Sequence, residues 1–140
     1  MLKATTRFRK AMAADNLDDF DRVVEPYYQI MAESIAQQKA RLGGTFAVAH
    51  AVASRRSRDY LRRLLGPDLV FLVLNLTEDC VRERLKQRHG AGSSSGVLER
   101  MYKLYQPAGD DEENAFNVTV DSNMTKDEVL QNVLAIVRNI

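Results

Sequence analysis

Two short apolar runs dominate the pattern of the chain. Leu69-Val70-Phe71-Leu72-Val73-Leu74-Asn75-Leu76 is apolar at nearly every position and follows Gly66-Pro67. Phe46-Ala47-Val48-Ala49-His50-Ala51-Val52 is a smaller, mostly apolar run soon after Gly43-Gly44. Runs of this length predict strands covered on both faces, as in a parallel sheet. A buried helix segment is the competing reading; length, β-branched content and the flanking Gly and Pro argue against it. Phe116-Asn117-Val118-Thr119-Val120 alternates apolar and polar residues, which predicts a third strand with one exposed face.

Helical patterns fill the intervals. Tyr27 to Leu42 carries Ile30, Met31, Ser34, Ile35 and Gln38 at helical spacing, and Gly43-Gly44 supplies a stop. Arg58 to Leu65 ends at Gly66-Pro67. Thr77 is a predicted N-cap, with Glu78 and Asp79 placing negative charge at the positive end of a helix that runs to about His89. Thr125-Lys126-Asp127-Glu128 approaches a capping box and opens a last helix, whose apolar face is Val129, Val133, Ile136, Val137 and Ile140. Before Pro26 the pattern is less regular. Phe8, Met12 and Phe20 are candidates for a core, but Asp15, Asp18, Asp19 and Asp21 give the stretch a loop-like character. Strands alternating with helices imply right-handed crossovers and an α/β fold: a parallel sheet with helices on both faces.

Composition narrows the class without changing the fold. The 140 residues fit a single domain, and 45% hydrophobic with 28% charged residues is ordinary for a globular protein. A net charge of +1 gives no reason to expect general nucleic-acid or membrane binding. No stretch reaches the ~20 apolar residues of a membrane span, and the first residues lack a signal-type apolar run. Cys80 is the only cysteine, so neither an internal disulfide nor a Cys-built zinc site is available. The cytoplasm is the expected location.

Ligands of open α/β sheets bind beyond the carboxyl ends of the strands. Ser54-Arg55-Arg56-Ser57-Arg58-Asp59 falls there, with Arg62 and Arg63 one turn on, and arginine's planar fork suits phosphate or carboxylate oxygens. A solvated helix face with Asp59 paired internally is the competing reading. Arg82, Arg84, Lys86 and Arg88 lead into Gly90-Ala91-Gly92-Ser93-Ser94-Ser95-Gly96. That arrangement suits either a lid that brings arginines over a polyphosphate or a flexible connector beside a solvated helix. Asp110-Asp111-Glu112-Glu113 lacks the spaced ligands of a calcium loop and reads as a solvated acidic turn. His50 and His89 have no second ligand at metal spacing. His50, inside an apolar run, is expected as a hydrogen-bonded core residue. The five tyrosines are expected as packing or boundary residues.

Taken together, these motifs resemble the later part of gluconate kinases, members of the P-loop small-molecule kinases that also include shikimate and adenylate kinases. The likeness starts with the small apolar strand leading into Arg55-Arg56-x-Arg58-Asp59-x-Leu61-Arg62. It continues through Pro67-Asp68, the second strand and Arg84-Leu85-x-x-Arg88-His89-Gly90, which looks like the start of a lid. It ends with Pro107, Asp111-Glu112, Asn114-Ala115, the third strand and the last helix, and so spans about Tyr27 to Ile140. The resemblance implies a three-layer α/β/α fold, ATP as phosphate donor, magnesium, and transfer to a small metabolite. It implies Arg84 and Arg88 as catalytic lid arginines near the triphosphate, with Arg55 and Arg58 on the acceptor side.

The departures are as informative. The family opens with a strand and G-x-x-x-x-G-K-[ST], whose backbone N–H groups and lysine hold the phosphates; no such motif occurs in this sequence. The turn that reads Ser-Ala-Leu-Lys in gluconate kinases is Ala51-Val52-Ala53-Ser54, without the lysine and serine that would argue for gluconate itself. Glu99-Arg100-Met101-Tyr102 also departs from the gluconate pattern. In the family the P-loop strand lies between the strands that correspond to Phe46–Val52 and Leu69–Leu76. Without it, those two must pair directly or leave backbone groups unsatisfied. The expectation is a kinase-like chain that is inactive alone, and a fragment, a shortened isoform or a truncated gene model. A non-catalytic binding or regulatory module that keeps the fold is the alternative.

Overall fold

The structure is a computed structural model that describes residues 17–89, 102 and 104–140, save the side chains of residues 17–19, 85, 88 and 89. Phe8, Met12, the Gly/Ser-rich run 90–96 and Glu99-Arg100-Met101 lie outside the described residues. The chain divides into two compact units. The first holds α1 (Leu17–Leu42) and α2 (Arg55–Leu65), together with residues 104–106. The second holds β1 (Phe71–Leu76), α3 (Glu78–His89), β2 (Ala115–Val120) and α4 (Lys126–Val137). The fold is thus mixed α/β, with a two-stranded parallel sheet among the described residues.

Helix α1 begins ten residues before the predicted start and runs through Pro26. The reason is a buried stripe that the aspartates obscure. Phe20, Val24, Tyr28 and Ala32 recur every fourth residue and are all buried, so the apolar face is continuous across the proline. Proline inside a helix costs about 3 kcal/mol, but Pro26 is exposed and takes no position of the buried stripe. Asp21, counted from sequence as a loop marker, is on the packed side and is only 1% exposed. The helix ends as predicted: Gly43 N–H donates to Lys39 O at 3.0 Å, and Gly43 and Gly44 take φ of 67° and 70°. Helix α2 packs against α1.

The predicted first strand does not form. Residues 45–53 run without helix, strand, turn or bend, and residues 47–51 are exposed. A strand needs a ladder partner, and among the described residues 45–52 make no backbone–backbone hydrogen bond. Three of the seven residues, Ala47, Ala49 and Ala51, also bring little intrinsic strand preference. His50 is correspondingly exposed instead of buried in a core. Its Nδ1 lies 3.2 Å from Ala51 O and its Nε2 3.1 Å from Tyr27 Oη. Because a carbonyl only accepts, Nδ1 is the donor to Ala51 O, and Nε2 shares the second bond with the Tyr27 hydroxyl.

In the second unit the two later strands form where the pattern places them. They pair in parallel from Phe71↔Ala115 to Leu76↔Val120. Asn114, at φ 53°, leads into β2, and its carbonyl accepts from Phe71 N–H at 2.8 Å; asparagine is among the few non-glycine residues that tolerate this region. The alternation in β2 is real: Val118 and Val120 are buried while Asn117 and Thr119 face solvent. Val118, Val120 and Cys80 of α3 form a buried apolar cluster, against which Leu72, Leu76, Val129, Val133 and Ile136 pack. Each fully buried valine is worth roughly 1.5–3 kcal/mol. Val137 and Ile140, predicted on the same face of α4, are 48% and 60% exposed. They fall where the helix ends, with Arg138 as its C-cap.

Both predicted caps are present. Thr77 Oγ1 accepts from Cys80 N–H at 3.2 Å, and Thr77 O accepts from Val81 N–H at 3.0 Å. Thr125 and Glu128 form a reciprocal capping box: Glu128 N–H donates to Thr125 Oγ1 at 3.2 Å, and Thr125 N–H donates to Glu128 Oε2 at 2.7 Å. The hydrogen bond from the Thr125 backbone, followed by that from its hydroxyl, holds the Glu128 carboxyl below its ordinary value. No helix among the described residues is long and apolar enough to cross a membrane.

Candidate functional site

The arginine-rich segment is helical from Arg55, three residues earlier than the pattern predicts, because Ser54 caps it. Ser54 Oγ accepts from Ser57 N–H at 3.0 Å and donates to Asp21 Oδ1 at 2.7 Å. Ser57 Oγ donates to the same Asp21 oxygen, also at 2.7 Å. A carboxylate on α1 therefore receives two hydroxyls at the positive end of α2, where negative charge is favoured. Asp21 Oδ2 is buried and without a hydrogen-bond partner among the described residues. Tyr28, about two helical turns beyond Asp21, is 2% exposed. Burial pushes its phenol above the ordinary value; the Ser57 hydroxyl opposes this and the Asp21 charge adds to it.

Gln106 closes the same helix end from outside the two helices. Its N–H donates to Ala53 O at 2.7 Å, and its Oε1 accepts from Arg55 N–H at 3.0 Å. The second bond satisfies one of the helix's first-turn donors, which have no partner within the helix. Its carbonyl accepts from Arg58 Nη1 at 2.9 Å. Arg58 is 0% exposed, the largest fully buried side chain among the described residues.

Of the remaining arginines of α2, Arg55, Arg56 and Arg63 are exposed and Arg62 is half-buried. Arg55 Nε lies 3.7 Å from Asp59 Oδ2, and Arg62 Nη1 lies 2.8 Å from Asp59 Oδ1. Arg56 pairs with Glu25 of α1 at 3.0 Å, and the Arg63 guanidinium sits 5.5 Å from the centre of the Tyr60 ring. The structure thus brings Arg55 and Arg58 into the first turn of one helix, but gives them different surroundings: Arg55 is exposed and Arg58 is enclosed. Arg84 is exposed on α3 in the other unit, and Arg88 belongs to the same helix, its side chain outside the described residues. Arg82 of that helix pairs with Glu78.

Of the acidic turn, Glu112 is buried and folded back on its own loop. Its Oε2 accepts from Gly109 N–H at 3.3 Å, and its N–H donates to Gly109 O at 3.0 Å. Asp110, Asp111 and Glu113 are exposed. The Asn117 side chain pairs with both the N–H and the carbonyl of Ala108, at 2.9 and 2.8 Å, and anchors this loop to β2. No group of three or more His, Cys, Asp or Glu suited to a metal ion occurs among the described residues.

Asp21, Ser54, Ser57 and Gln106 were not singled out from the sequence as a set. The signal available was Asp21 on the stripe of Phe20, Val24 and Tyr28, with serines three residues apart at a helix start. Chemically, the cluster is an anion already installed at a helix N-terminus and held by hydroxyl donors. Comparison with family models, curated proteins and solved structures finds no match to this chain.

Proposed function

We propose that the chain is a kinase-like domain related to ATP-dependent phosphorylation of a small metabolite, and that it does not transfer phosphate on its own. In this reading the fold is the three-layer α/β/α arrangement of P-loop kinases, short of its phosphate-binding strand. The observation that carries it is the state of residues 45–52. In this reading they correspond to the strand that would flank a P-loop strand; they have no backbone partner among the described residues, while β1 and β2 pair in parallel. A sheet lacking its middle strand leaves that neighbour in this condition. ATP and magnesium follow from the resemblance, with Arg84 and Arg88 as the residues nearest the triphosphate and Arg55 as the exposed acceptor-side arginine.

The test joins a strand–P-loop–helix segment from a small-molecule kinase ahead of the chain. The unmodified chain should show no phosphate transfer from magnesium-ATP to a panel of polyols and sugar acids. The fusion should bind magnesium-ATP and lose that binding when Arg84 and Arg88 are both replaced by alanine. Transfer by the unmodified chain would overturn its inactivity. A fusion that folds but binds no nucleotide would overturn the kinase relationship.

A second reading, a non-catalytic binding or regulatory module, is favoured by Arg58. Its guanidinium is enclosed and bonded to the Gln106 main chain, which suits a structural clamp better than contact with an acceptor. A stable protein complex unaffected by magnesium-ATP would support that reading.

A further inference from the structure

Independently of any kinase relationship, the connectors among the described residues differ in how they are held. At 66–70, Gly66 N–H donates to Arg62 O at 2.8 Å and Leu69 N–H to Gly66 O at 3.4 Å. In 107–114 the Asn117 side chain holds Ala108, and Glu112 N–H donates to Gly109 O. In 121–125, Asp121 Oδ1 accepts from Asn123 N–H at 2.8 Å and from Met124 N–H at 3.2 Å. The connector from α1 to α2 is different. Residues 45–49 make no hydrogen bond among the described residues, the run is unbent, and 47–51 are exposed. The next residue, His50, is tied to Tyr27 Oη and Ala51 O. The helices on either side are held to each other without this connector: they pack together, Ser54 and Ser57 bond to Asp21, and Arg56 pairs with Glu25.

We propose that the peptide bonds after Ala47 and Ala49 are a processing site for an endopeptidase with a small apolar specificity pocket, and that the cut chain stays folded as two associated pieces. Such an enzyme takes its substrate as an extended strand paired through the main chain. A connector that is unbent, exposed and unbonded meets that requirement without prior unfolding, whereas the tied connectors must open first. The residues at the cut set the enzyme class: a small pocket admits the methyl group of alanine and shuts out long or charged side chains. Ala51 is set apart, because its carbonyl is engaged by His50. Hydrolysis breaks the C–N bond; water gives its hydroxyl to the Ala47 or Ala49 carbonyl carbon and a proton to the nitrogen of Val48 or His50. The new carboxylate and ammonium arise at exposed positions, so neither charge is buried.

Brief digestion of the full chain with an elastase-type endopeptidase, in water and at urea concentrations below unfolding, tests this. Mass spectrometry should find cuts after Ala47 or Ala49, at an initial rate that stays within about twofold across the series, since no opening precedes cleavage. The two pieces should co-elute from a size-exclusion column in native buffer and separate in strong denaturant. Replacing both residues, Ala47→Asp with Ala49→Asp, should slow these cuts at least ~10-fold and leave circular dichroism unchanged, because both positions are exposed. Cuts at these bonds whose rate climbs steeply with urea would overturn the proposal, because the connector would then be held in the native chain. So would earlier cuts within 66–70, 107–114 or 121–125, or pieces that part in native buffer.

Discussion

In the first unit the start of α2 is held by polar groups: two serine hydroxyls on the Asp21 carboxylate, the Gln106 amide on Arg55 N–H, and a buried guanidinium on the Gln106 carbonyl. In the second unit, α3 and α4 are fixed on the sheet by Cys80, Val118 and Val120, with leucines, valines and an isoleucine around them, and each helix is capped by its own threonine. The two regions differ in how failure propagates. An apolar cluster loses contacts in proportion to the atoms removed. A buried polar cluster loses far more when one member goes, because the remaining donors and acceptors are stranded away from water.

Substitutions ordered by expected effect sharpen that contrast. Arg58→Ala should be the most damaging, at about 4 kcal/mol, since it empties the largest enclosed side chain and leaves the Gln106 carbonyl short of a donor. Arg58→Met, which keeps a packed stem, should cost less. Asp21→Ala should cost about 3 kcal/mol by stranding the Ser54 and Ser57 hydroxyls, and Asp21→Asn, which keeps an acceptor, should recover part of it. Val118→Ala should cost about 2 kcal/mol, the transfer of two methyl groups plus a small cavity. Thr125→Ala removes one exposed cap and should cost about 1 kcal/mol. Denaturant unfolding followed by circular dichroism measures all of them. If Val118→Ala proved more damaging than Asp21→Ala, the polar cluster would be incidental to stability.

Acid and alkali probe the two regions separately, with smaller effects. The Glu128 carboxyl is held low, so its contribution is present above the ordinary carboxylate range, about 4.3, and is lost as pH falls through its lowered value. Glu128→Gln should flatten that acid limb. The Tyr28 phenol is raised, so its contribution is complete below about 10 and is lost as pH rises through its raised value. Tyr28→Phe should flatten the alkaline limb. Unfolding midpoints measured across pH distinguish the two.

What the sequence conveyed about each region follows from the kind of interaction involved. The threonine caps and glycine stops are local: Thr77, Thr125, Gly43 and Gly66 act on residues within one turn, and a short window contains the whole signal. The strands 71–76 and 115–120 were legible because dense apolar runs and strict alternation both have short periods. The Asp21 cluster joins positions 33 and 36 residues apart in the chain. No local pattern encodes that meeting, and an aspartate beside other aspartates reads as a loop. Residues 46–52 failed for the complementary reason. Their pattern has strand character, but a strand is completed by its neighbour, and propensity alone cannot supply one.

Amide hydrogen exchange of the intact chain tests the central claim most directly. The account predicts that amides of residues 46–52 exchange at unstructured rates, while those of 115–120 stay protected. Equal protection of both segments would mean that 46–52 is laddered like 115–120, and would contradict the account.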